Sequence, residues 1–257
     1  MSEMNLYFEL MQIPVFTMED VCKYYEKIES ARSAVKRLIK QGTIVKIRNN
    51  MYTCISGETG APIANRFQIA SSITPTSYVS YHTAMEYYGV ADQVYYEVYV
   101  SSETKFQTFD FSGYSYQCVL AKCKQGIETV KYSGGIKVTD KERTLVDCIK
   151  AVEKISGLEE TMATVQGLYN LQEKKILQYL EEYNNQFLYQ KMGFLLSSIK
   201  TQLGLSDAFF EVCKKKIGKS KRYLIKDSSD VVYDNVWKII APKNITHIKN
   251  GDEMIND

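Results

Sequence analysis

The stretch KRLIKQGTIVKIRNNMYT, residues 36–53, carries lysines and arginines but no acidic residue. Its first part has the apolar spacing of a helix, which Gly42 is placed to end because glycine readily adopts the left-handed conformation of a helix C-cap. Its second part alternates apolar and polar residues around Asn49 and Asn50, which predicts two strands joined by a two-residue turn. We therefore expect a basic helix followed by a basic hairpin.

The residues before this stretch supply a second helix and the start of the basic one. Thr17 and Asp20 have the spacing of a capping box at the beginning of a short helix. After a turn, Ser30 is the expected N-cap of the basic helix. The apolar residues of the basic helix recur at three- and four-residue steps, which predicts one buried face. They are Ala31, Ala34, Val35, Leu38 and Ile39.

The side-chain pattern also predicts how the two strands of the hairpin pair. With Asn49 and Asn50 as the turn, Arg48 faces Met51 and the apolar and basic side chains separate onto opposite faces. A shift of one residue would mix the two sets, so this register is the expected one. One face then carries Val45, Ile47, Tyr52 and Cys54, and the other carries Ile44, Lys46, Arg48, Met51 and Thr53.

A short helix, a basic helix and a basic hairpin follow one another in the order of a winged helix-turn-helix, in which the hairpin is the wing. Such a domain places a helix in the major groove of DNA and lays the wing along the backbone or minor groove. We expect Arg32 and Lys36 to read bases, and Lys46 and Arg48 to contact the backbone. The expected DNA-binding residues are Arg32, Ser33, Lys36, Arg37, Lys40, Lys46, Arg48 and Asn49. Two alternatives remain open, a charged face that is merely solvated and a winged helix that binds protein.

The composition narrows the class of protein. With 45% hydrophobic and 24% charged residues among 257, the chain resembles an ordinary soluble globular protein. Six cysteines without a C-x-x-C pair, and only two histidines, argue against a zinc site. No apolar run approaches the ~20 residues of a membrane span, and no signal-peptide pattern is visible at the N-terminus. We expect a cytoplasmic protein with no metal, cofactor or catalytic residue.

The rest of the chain predicts a larger mixed domain. The polar, glycine-containing segment 56–62 marks a boundary, with a winged helix-turn-helix domain at 1–57 and an effector domain at 58–257. The overall expectation is an α+β fold with a mainly helical C-terminal half. Helices are predicted within 64–73, 80–90, 139–154 and, as one long helix, 181–204. Strands are predicted within 94–102, 114–121, 127–132, 135–140, 222–227 and 236–240.

Three other groups of side chains allow a functional interpretation. His82 lies near Ser80, but no cysteine or aspartate is spaced to orient it, so a structural hydrogen bond is expected. Arg143 and Asp147, four residues apart, predict an ion pair within a helix. A second basic patch is either a solubilising face or a further contact to a polyanion. It consists of Lys214, Lys215, Lys216, Lys219, Lys221 and Arg222.

The order of several motifs resembles a known family. The basic hairpin, YVSYHTAMEYYGV at 78–90, VTDKERTLVDCI at 138–149, KMGFLLSSI at 191–199 and VWKII at 236–240 look like the AbiEi-type antitoxins of bacterial abortive-infection systems, which are type IV toxin–antitoxin systems. The resemblance spans residues from about 10 to 245. One departure is that Asn50 and Met51 stand where the family commonly has a glycine.

The resemblance implies a function in two parts. The N-terminal domain would bind double-stranded DNA repeats upstream of its own operon and repress it. The remainder would counteract a nucleotidyltransferase-like toxin without forming a stable complex, and a surface role for Glu142 or Arg143 would belong to that part. The alternative is a ligand-sensing winged-helix regulator with a small-molecule pocket in its tyrosine-rich middle domain.

Overall fold

The computed structural model describes residues 3–91, 93–226 and 230–245 and has a mixed α+β fold, as expected. The described residues divide into two compact units, the first within 1–83, 95–121 and 127–138 and the second within 84–94, 122–126 and 139–257. This division does not coincide with the expected boundary after residue 57. That residues 1–57 bind DNA and the remainder is an effector domain stays a prediction. The end of the strand expected at 222–227 and the last residues of the expected effector domain lie outside the described residues.

The first unit begins with three helices and a hairpin. They are α1 (Glu3–Met11), α2 (Met18–Cys22), α3 (Ile28–Lys40), β1 (Ile44–Arg48) and β2 (Met51–Cys54). The sequence reasoning missed α1, although Leu6 and Leu10, four residues apart, are both completely buried. Between α1 and α2, Phe16 pairs with Tyr52 of β2 through two backbone hydrogen bonds of 3.0 and 2.9 Å. The helices therefore share one apolar core with the hairpin.

Local signals at the helix ends are partly as expected. The Asp20 carboxylate accepts hydrogen bonds from the amide and the hydroxyl of Thr17, at 2.9 and 3.0 Å. Gly42 has a φ of +73° and ends the turn after α3, as predicted. The expected N-cap at Ser30 is wrong, because α3 begins at Ile28 and Lys27 is the extended N-cap residue.

The remainder of the first unit is built on a six-stranded sheet of order β5-β6-β4-β3-β8-β7. Its elements are α4 (Arg66–Ser72), β3 (Tyr78–Val79), β4 (Glu97–Ser102), β5 (Phe109–Phe111), β6 (Tyr114–Leu120), β7 (Ile127–Thr129) and β8 (Lys137–Thr139). The helix α5 (Tyr81–Tyr87) follows β3, and its residues from 84 onward are assigned to the second unit. The structure confirms the helices and strands expected here, and it adds the short strands β3 and β5. The pairs β4·β6 and β3·β8 are parallel, whereas β3·β4 and β5·β6 are antiparallel.

The second unit is mainly helical. Its helices are α6 (Lys141–Lys150), α7 (Leu158–Gln166), α8 (Glu173–Tyr183), α9 (Gln186–Leu196), α10 (Lys200–Leu203) and α11 (Asp207–Lys216), with 3₁₀ turns at Val152–Ile155 and Ser197–Ile199. A small sheet contains β9 (Arg222–Tyr223), β10 (Val231–Asp234) and β11 (Ile239–Pro242), in the order β10-β11-β9. The strand expected at 236–240 begins only at Ile239, and β10 was not predicted.

The single long helix expected at 181–204 is wrong. Asn184 adopts a left-handed conformation with a φ of +45° and ends α8. Asn185 then caps α9, since its side chain accepts hydrogen bonds from the amides of Phe187 and Leu188. The two asparagines therefore end α8 and begin α9, where apolar periodicity alone predicted one continuous helix.

Candidate nucleic-acid interface

The helix α3 has two chemically distinct faces. Ala31, Ala34, Val35 and Leu38 are buried, as expected, whereas Ile39 is 41% exposed and does not belong to the core. At 100° per residue, Ile39 lies at the edge of the apolar stripe, which explains the error. Every polar residue expected to touch DNA from this helix is exposed. They are Arg32, Ser33, Lys36, Arg37 and Lys40.

The cations of α3 differ in whether an acid already neutralises them. Arg37 Nε forms an ion pair with Glu3 of α1, and Gln41 Nε2 donates to the same carboxylate at 2.7 Å. Hydrogen bonds from Gln41 and Arg37 lower the pKa of Glu3, so this carboxyl is charged at neutral pH. Within residues 3–91, 93–226 and 230–245, no acid pairs with Arg32, Lys36 or Lys40. These three recur every four residues and form an uncompensated basic stripe.

The hairpin keeps only part of its expected register. Arg48 faces Met51 as predicted, but a bulge between Lys46 and Arg48 shifts the remaining pairs, so that Lys46 faces Tyr52. The expected separation into an apolar and a basic face is therefore wrong. Ile44, Met51 and Thr53, expected on the basic face, are all buried.

The bulge changes the surroundings of Arg48. Its guanidinium lies 4.9 Å from the ring centre of Phe109 and 5.7 Å from that of Phe106, and the residue is half-buried. Its Nη1 atom is buried and has no hydrogen-bond partner among the described residues. Lys46 remains exposed, so the two expected cations of the hairpin have different surroundings.

The hairpin turn is fixed to the helices. Asn50 has a φ of +56°, and its Oδ1 accepts a hydrogen bond of 3.0 Å from the amide of Met18, the first residue of α2. Asn49, the other turn residue, is exposed, and its side chain makes no hydrogen bond within the described part of the chain. The turn therefore presents the Asn49 amide at the tip of a hairpin that is anchored to α2.

The second basic patch lies entirely in the second unit, at the end of α11 and the segment leading into β9. All six of its residues are exposed. Lys214 pairs with Glu211 at 2.8 Å, and Lys216 pairs with Glu181 at 3.4 Å. Lys221 Nζ lies 4.6 Å from the ring centre of Tyr233. Part of this patch is thus compensated within its own unit.

A buried polar network in the second unit was only partly foreseen. Arg143 and Asp147 form the expected ion pair, with Nε and Oδ1 3.0 Å apart, but they are only 2% and 0% exposed. Tyr183 Oη also donates to Asp147, and Arg143 Nη1 donates to the carbonyl of Gln125 at 2.8 Å. Glu142 is 4% exposed, so neither Glu142 nor Arg143 lies at the surface, where the family resemblance would give one of them a role.

Asp140 joins the same network at the start of α6. Its Oδ1 accepts from the amide of Arg143 at 2.7 Å, and its Oδ2 accepts from Tyr179 Oη at 2.6 Å and Lys175 Nζ at 3.2 Å. Burial and the hydrogen bond to Asp140 raise the pKa of Tyr179. The sequence contains a signal for this network. Arg143 and Asp147 follow Asp140 at helical spacing, and Tyr179 and Tyr183 are four residues apart on another helix.

The other candidate reactive side chains, such as His82, are buried and packed against neighbouring residues. His82 is 2% exposed, and its ring centre lies 4.2 Å from that of Tyr95 and 5.0 Å from that of Tyr99. The Ser80 hydroxyl hydrogen-bonds Ser101 Oγ of β4 at 2.8 Å. Burial raises the pKa of the Cys54 thiol to about 12. No cluster of potential metal ligands occurs in the described part of the chain.

Among the described residues, no helix has the length and apolar character required to cross a membrane.

Comparisons with known proteins inform the fold only. No protein-family model and no curated protein matches the chain. The chain is similar to a solved structure described as the RV2827C protein from Mycobacterium tuberculosis, with a TM-score of 0.63 and 13% sequence identity, over 92% of this chain and 89% of that one. A similar fold is therefore known in a protein of very different sequence.

Proposed function

We propose that the chain is a DNA-binding antitoxin and autorepressor of the AbiEi type, with α1 to β2 acting as a winged helix-turn-helix. One observation carries the DNA-binding part of this proposal. Arg32, Lys36 and Lys40 form an exposed stripe on α3, opposite its buried face, and no acid among the described residues neutralises them.

The connectivity of the first unit supports the winged-helix assignment. A helix, the bridging residue Phe16, two further helices and a hairpin follow in the order that such a domain requires. The Phe16 bridge to Tyr52 and the bond from Met18 to Asn50 hold the hairpin beside the helices. A wing fixed in this way can contact DNA without first being ordered, which lowers the entropic cost of binding.

The dimensions of α3 suit the major groove. Thirteen residues span about 20 Å, and Arg32 and Lys40 lie about 12 Å apart along the axis at 1.5 Å per residue. Arginine can bind guanine through two hydrogen bonds, whereas lysine contributes a mobile charge to phosphates or bases. If Arg32, Lys36, Lys40 and Lys46 each neutralise a phosphate, affinity should fall roughly a hundredfold between 50 and 200 mM salt.

The antitoxin part of the proposal rests on the motif resemblance. In this role the chain represses its operon at upstream repeats and counteracts a nucleotidyltransferase-like toxin, without enzymatic activity of its own. Nothing in the geometry requires a stable complex with the toxin. Co-expression with the product of a neighbouring toxin gene tests this part separately, because rescue of growth is expected whether or not DNA is bound.

A mobility-shift titration with duplex DNA from upstream of the gene tests the DNA-binding part. Reversing Arg32 and Lys36 to glutamate should abolish the shift while leaving the melting temperature unchanged. These residues are preferable to Arg37, whose reversal would also place two acids together at Glu3. The matched control reverses Lys131 and Lys174, two exposed cations outside α3. An undiminished shift by the Arg32 and Lys36 variant contradicts the assignment of α3.

A pocket in the first unit supports a ligand-sensing regulator as a second candidate. Its volume is about 400 Å³, and Arg66, Phe67, Tyr114 and Tyr116 line it. The buried Tyr116 Oη has no hydrogen-bond partner among the described residues, which leaves a donor for a ligand. A thermal-shift screen with nucleotides and metabolites tests this candidate, and a stabilisation lost in Tyr116→Phe would favour it over the antitoxin.

A further inference from the structure

The first unit contains a groove of about 560 Å³ beside the hairpin turn. The turn residues form one wall, the segment after α4 forms a second, and the residues around Gly134 and Gly135 form a third. We infer that this groove binds a backbone phosphate of nucleic acid next to the wing. This inference rests on the proposed DNA-binding function and extends its contact surface beyond α3 and the hairpin.

The lining of the groove favours an anion. It includes two cations, Arg48 and Lys137, and several hydroxyl and amide side chains, but none of its described residues is acidic. Asn49 and Asn50 each have a side-chain amide N–H₂ group without a hydrogen-bond acceptor in the described part of the chain. Phosphate oxygens of nucleic acid accept hydrogen bonds from amide side chains as well as from arginine and lysine.

The two cations are held in place before any ligand binds. Stacking against Phe109 positions the Arg48 guanidinium, whose buried Nη1 lacks an acceptor among the described residues. Lys137 Nζ donates one hydrogen bond, of 2.9 Å, to the carbonyl of Pro75 and retains two further donors. Burial lowers the pKa of Lys137, which means that its charge is partly removed from water. A bound anion would offset this desolvation at both cations.

The position of the groove favours nucleic acid over other anions. Arg48, Asn49 and Asn50 belong both to the hairpin and to the groove wall, so a strand that passes the wing reaches the groove without a gap. Binding of a free phosphate would not require the groove to share residues with the hairpin. An acidic peptide would meet the same charges, but its carboxylates are spaced by side chains rather than by a regular backbone. Nucleic acid carries phosphates at regular intervals, so one phosphate can occupy the groove while its neighbours pass the hairpin.

Salt-dependent binding of the full chain to the upstream duplex provides the test. Lys137→Gln should raise Kd three- to tenfold and reduce the slope of log K against log salt by about 0.9, since one phosphate contact is lost. Lys137→Arg should restore both values because it keeps the charge. Lys174→Gln, an exposed lysine of α8 with the same charge change, should behave like the unmodified chain. Melting temperatures show whether each variant is folded.

The outcomes separate this inference from the proposed function. If Lys137→Gln keeps the original Kd and slope while Lys36→Gln loses affinity, the DNA-binding function stands and the groove assignment is overturned. If the unmodified chain shifts no duplex at low salt, both fail. Titrations with inorganic phosphate and with a polyglutamate peptide form two further arms. Binding of either that depends on Lys137, together with an unchanged duplex slope, overturns the nucleic-acid assignment in favour of that ligand.

Discussion

Arg143 and Asp147 form an ion pair, 3.0 Å between Nε and Oδ1, that is almost completely removed from solvent in the second unit. Tyr183 bonds to both partners, accepting from Arg143 Nη2 at 2.8 Å and donating to Asp147. Each buried charge loses its hydration and depends on the polar contacts that replace it, and these all meet Asp147 at Oδ1, since Oδ2 has no hydrogen-bond partner among the described residues. The pair therefore couples α6 to α8 through Tyr183.

Removing one partner of this pair should be far more damaging than removing both. Arg143→Ala leaves the Asp147 carboxylate buried without its cation, so we expect the free energy of unfolding to fall by about 3–5 kcal/mol. Arg143→Met combined with Asp147→Leu should recover much of that loss, since neither buried charge remains. Urea unfolding of the two variants measures the difference.

The exposed pair of Lys214 and Glu211 is the control for this comparison. Both side chains are largely in water, at 40% and 59% exposure, and their attraction is screened. Glu211→Ala should leave the urea midpoint nearly unchanged. Equal losses in Glu211→Ala and Arg143→Ala would show that burial does not govern the strength of the Arg143 pair.

The sequence predicted the existence of this ion pair but not its burial. The four-residue spacing of Arg143 and Asp147 suffices for a contact within a helix, and it is the same for exposed and buried helices. The buried pair is surrounded by Tyr183 and by the carbonyl of Gln125, which come from segments far apart in the chain. Helical periodicity has no information about such partners.

Glu3 should act as an internal competitor of DNA for Arg37. The Glu3 carboxylate accepts from Arg37 Nε and from Gln41 Nε2, so Arg37, a further exposed cation of α3, is already paired. If α3 binds DNA, Glu3→Gln should increase affinity two- to threefold and steepen the salt slope by up to about 0.9, because Arg37 becomes free to meet a phosphate. Fluorescence anisotropy with the upstream duplex measures both quantities.

Glu9 provides the matched control for Glu3. It is an exposed glutamate of the same helix, and no ion pair joins it to a cation in the described part of the chain. Glu9→Gln changes the net charge by the same amount, so any general electrostatic effect is common to both variants. If the two variants gain affinity equally, the ion pair with Arg37 has no specific role.

The cap of α2 should make stability depend on acidic pH. Burial alone would raise the pKa of Asp20, but hydrogen bonds from Lys23 and Thr17 outweigh it and lower the pKa below its usual value. Because the folded pKa is the lower one, this stabilisation is present above about pH 4 and is lost as the pH falls through the folded pKa. Asp20→Ala should therefore cost about 0.5–2 kcal/mol at pH 7 and progressively less below pH 4.

Thermal unfolding between pH 2.5 and pH 7 checks the behaviour of Asp20. Glu19→Ala is the control, because Glu19 occupies the same first turn but is exposed and makes no capping hydrogen bond among the described contacts. A difference between the chain and Asp20→Ala that stays constant over this pH range would contradict the capping role.

The first unit shows where sequence patterns fail for a physical reason. The register around Asn49 and Asn50 was predicted from a separation of apolar and basic side chains, which assumes that one face of the hairpin is in water. In the structure, β2 is buried on both faces, since Phe16 and Tyr52 stack with ring centres 5.8 Å apart and Thr53 is fully buried. A bulge then accommodates the extra packing. The stripe on α3 was predictable because only one of its faces is covered.

The close packing of Gly193 against Trp237 yields the last prediction. Gly193 lies within α9, and a Cβ atom at this position would overlap the indole ring of Trp237. Alanine favours a helix over glycine by about 1 kcal/mol, yet here the steric overlap should dominate and lower the free energy of unfolding by about 1–3 kcal/mol. Gly193→Ala should cost less in a Trp237→Leu background, because the ring that it meets is absent. Gly57→Ala should change stability little, because no atom of the described residues beyond its two chain neighbours lies within 4 Å of the added carbon. Denaturant unfolding of these variants measures the coupling, and an equal cost of Gly193→Ala in both backgrounds would exclude the indole ring as its cause.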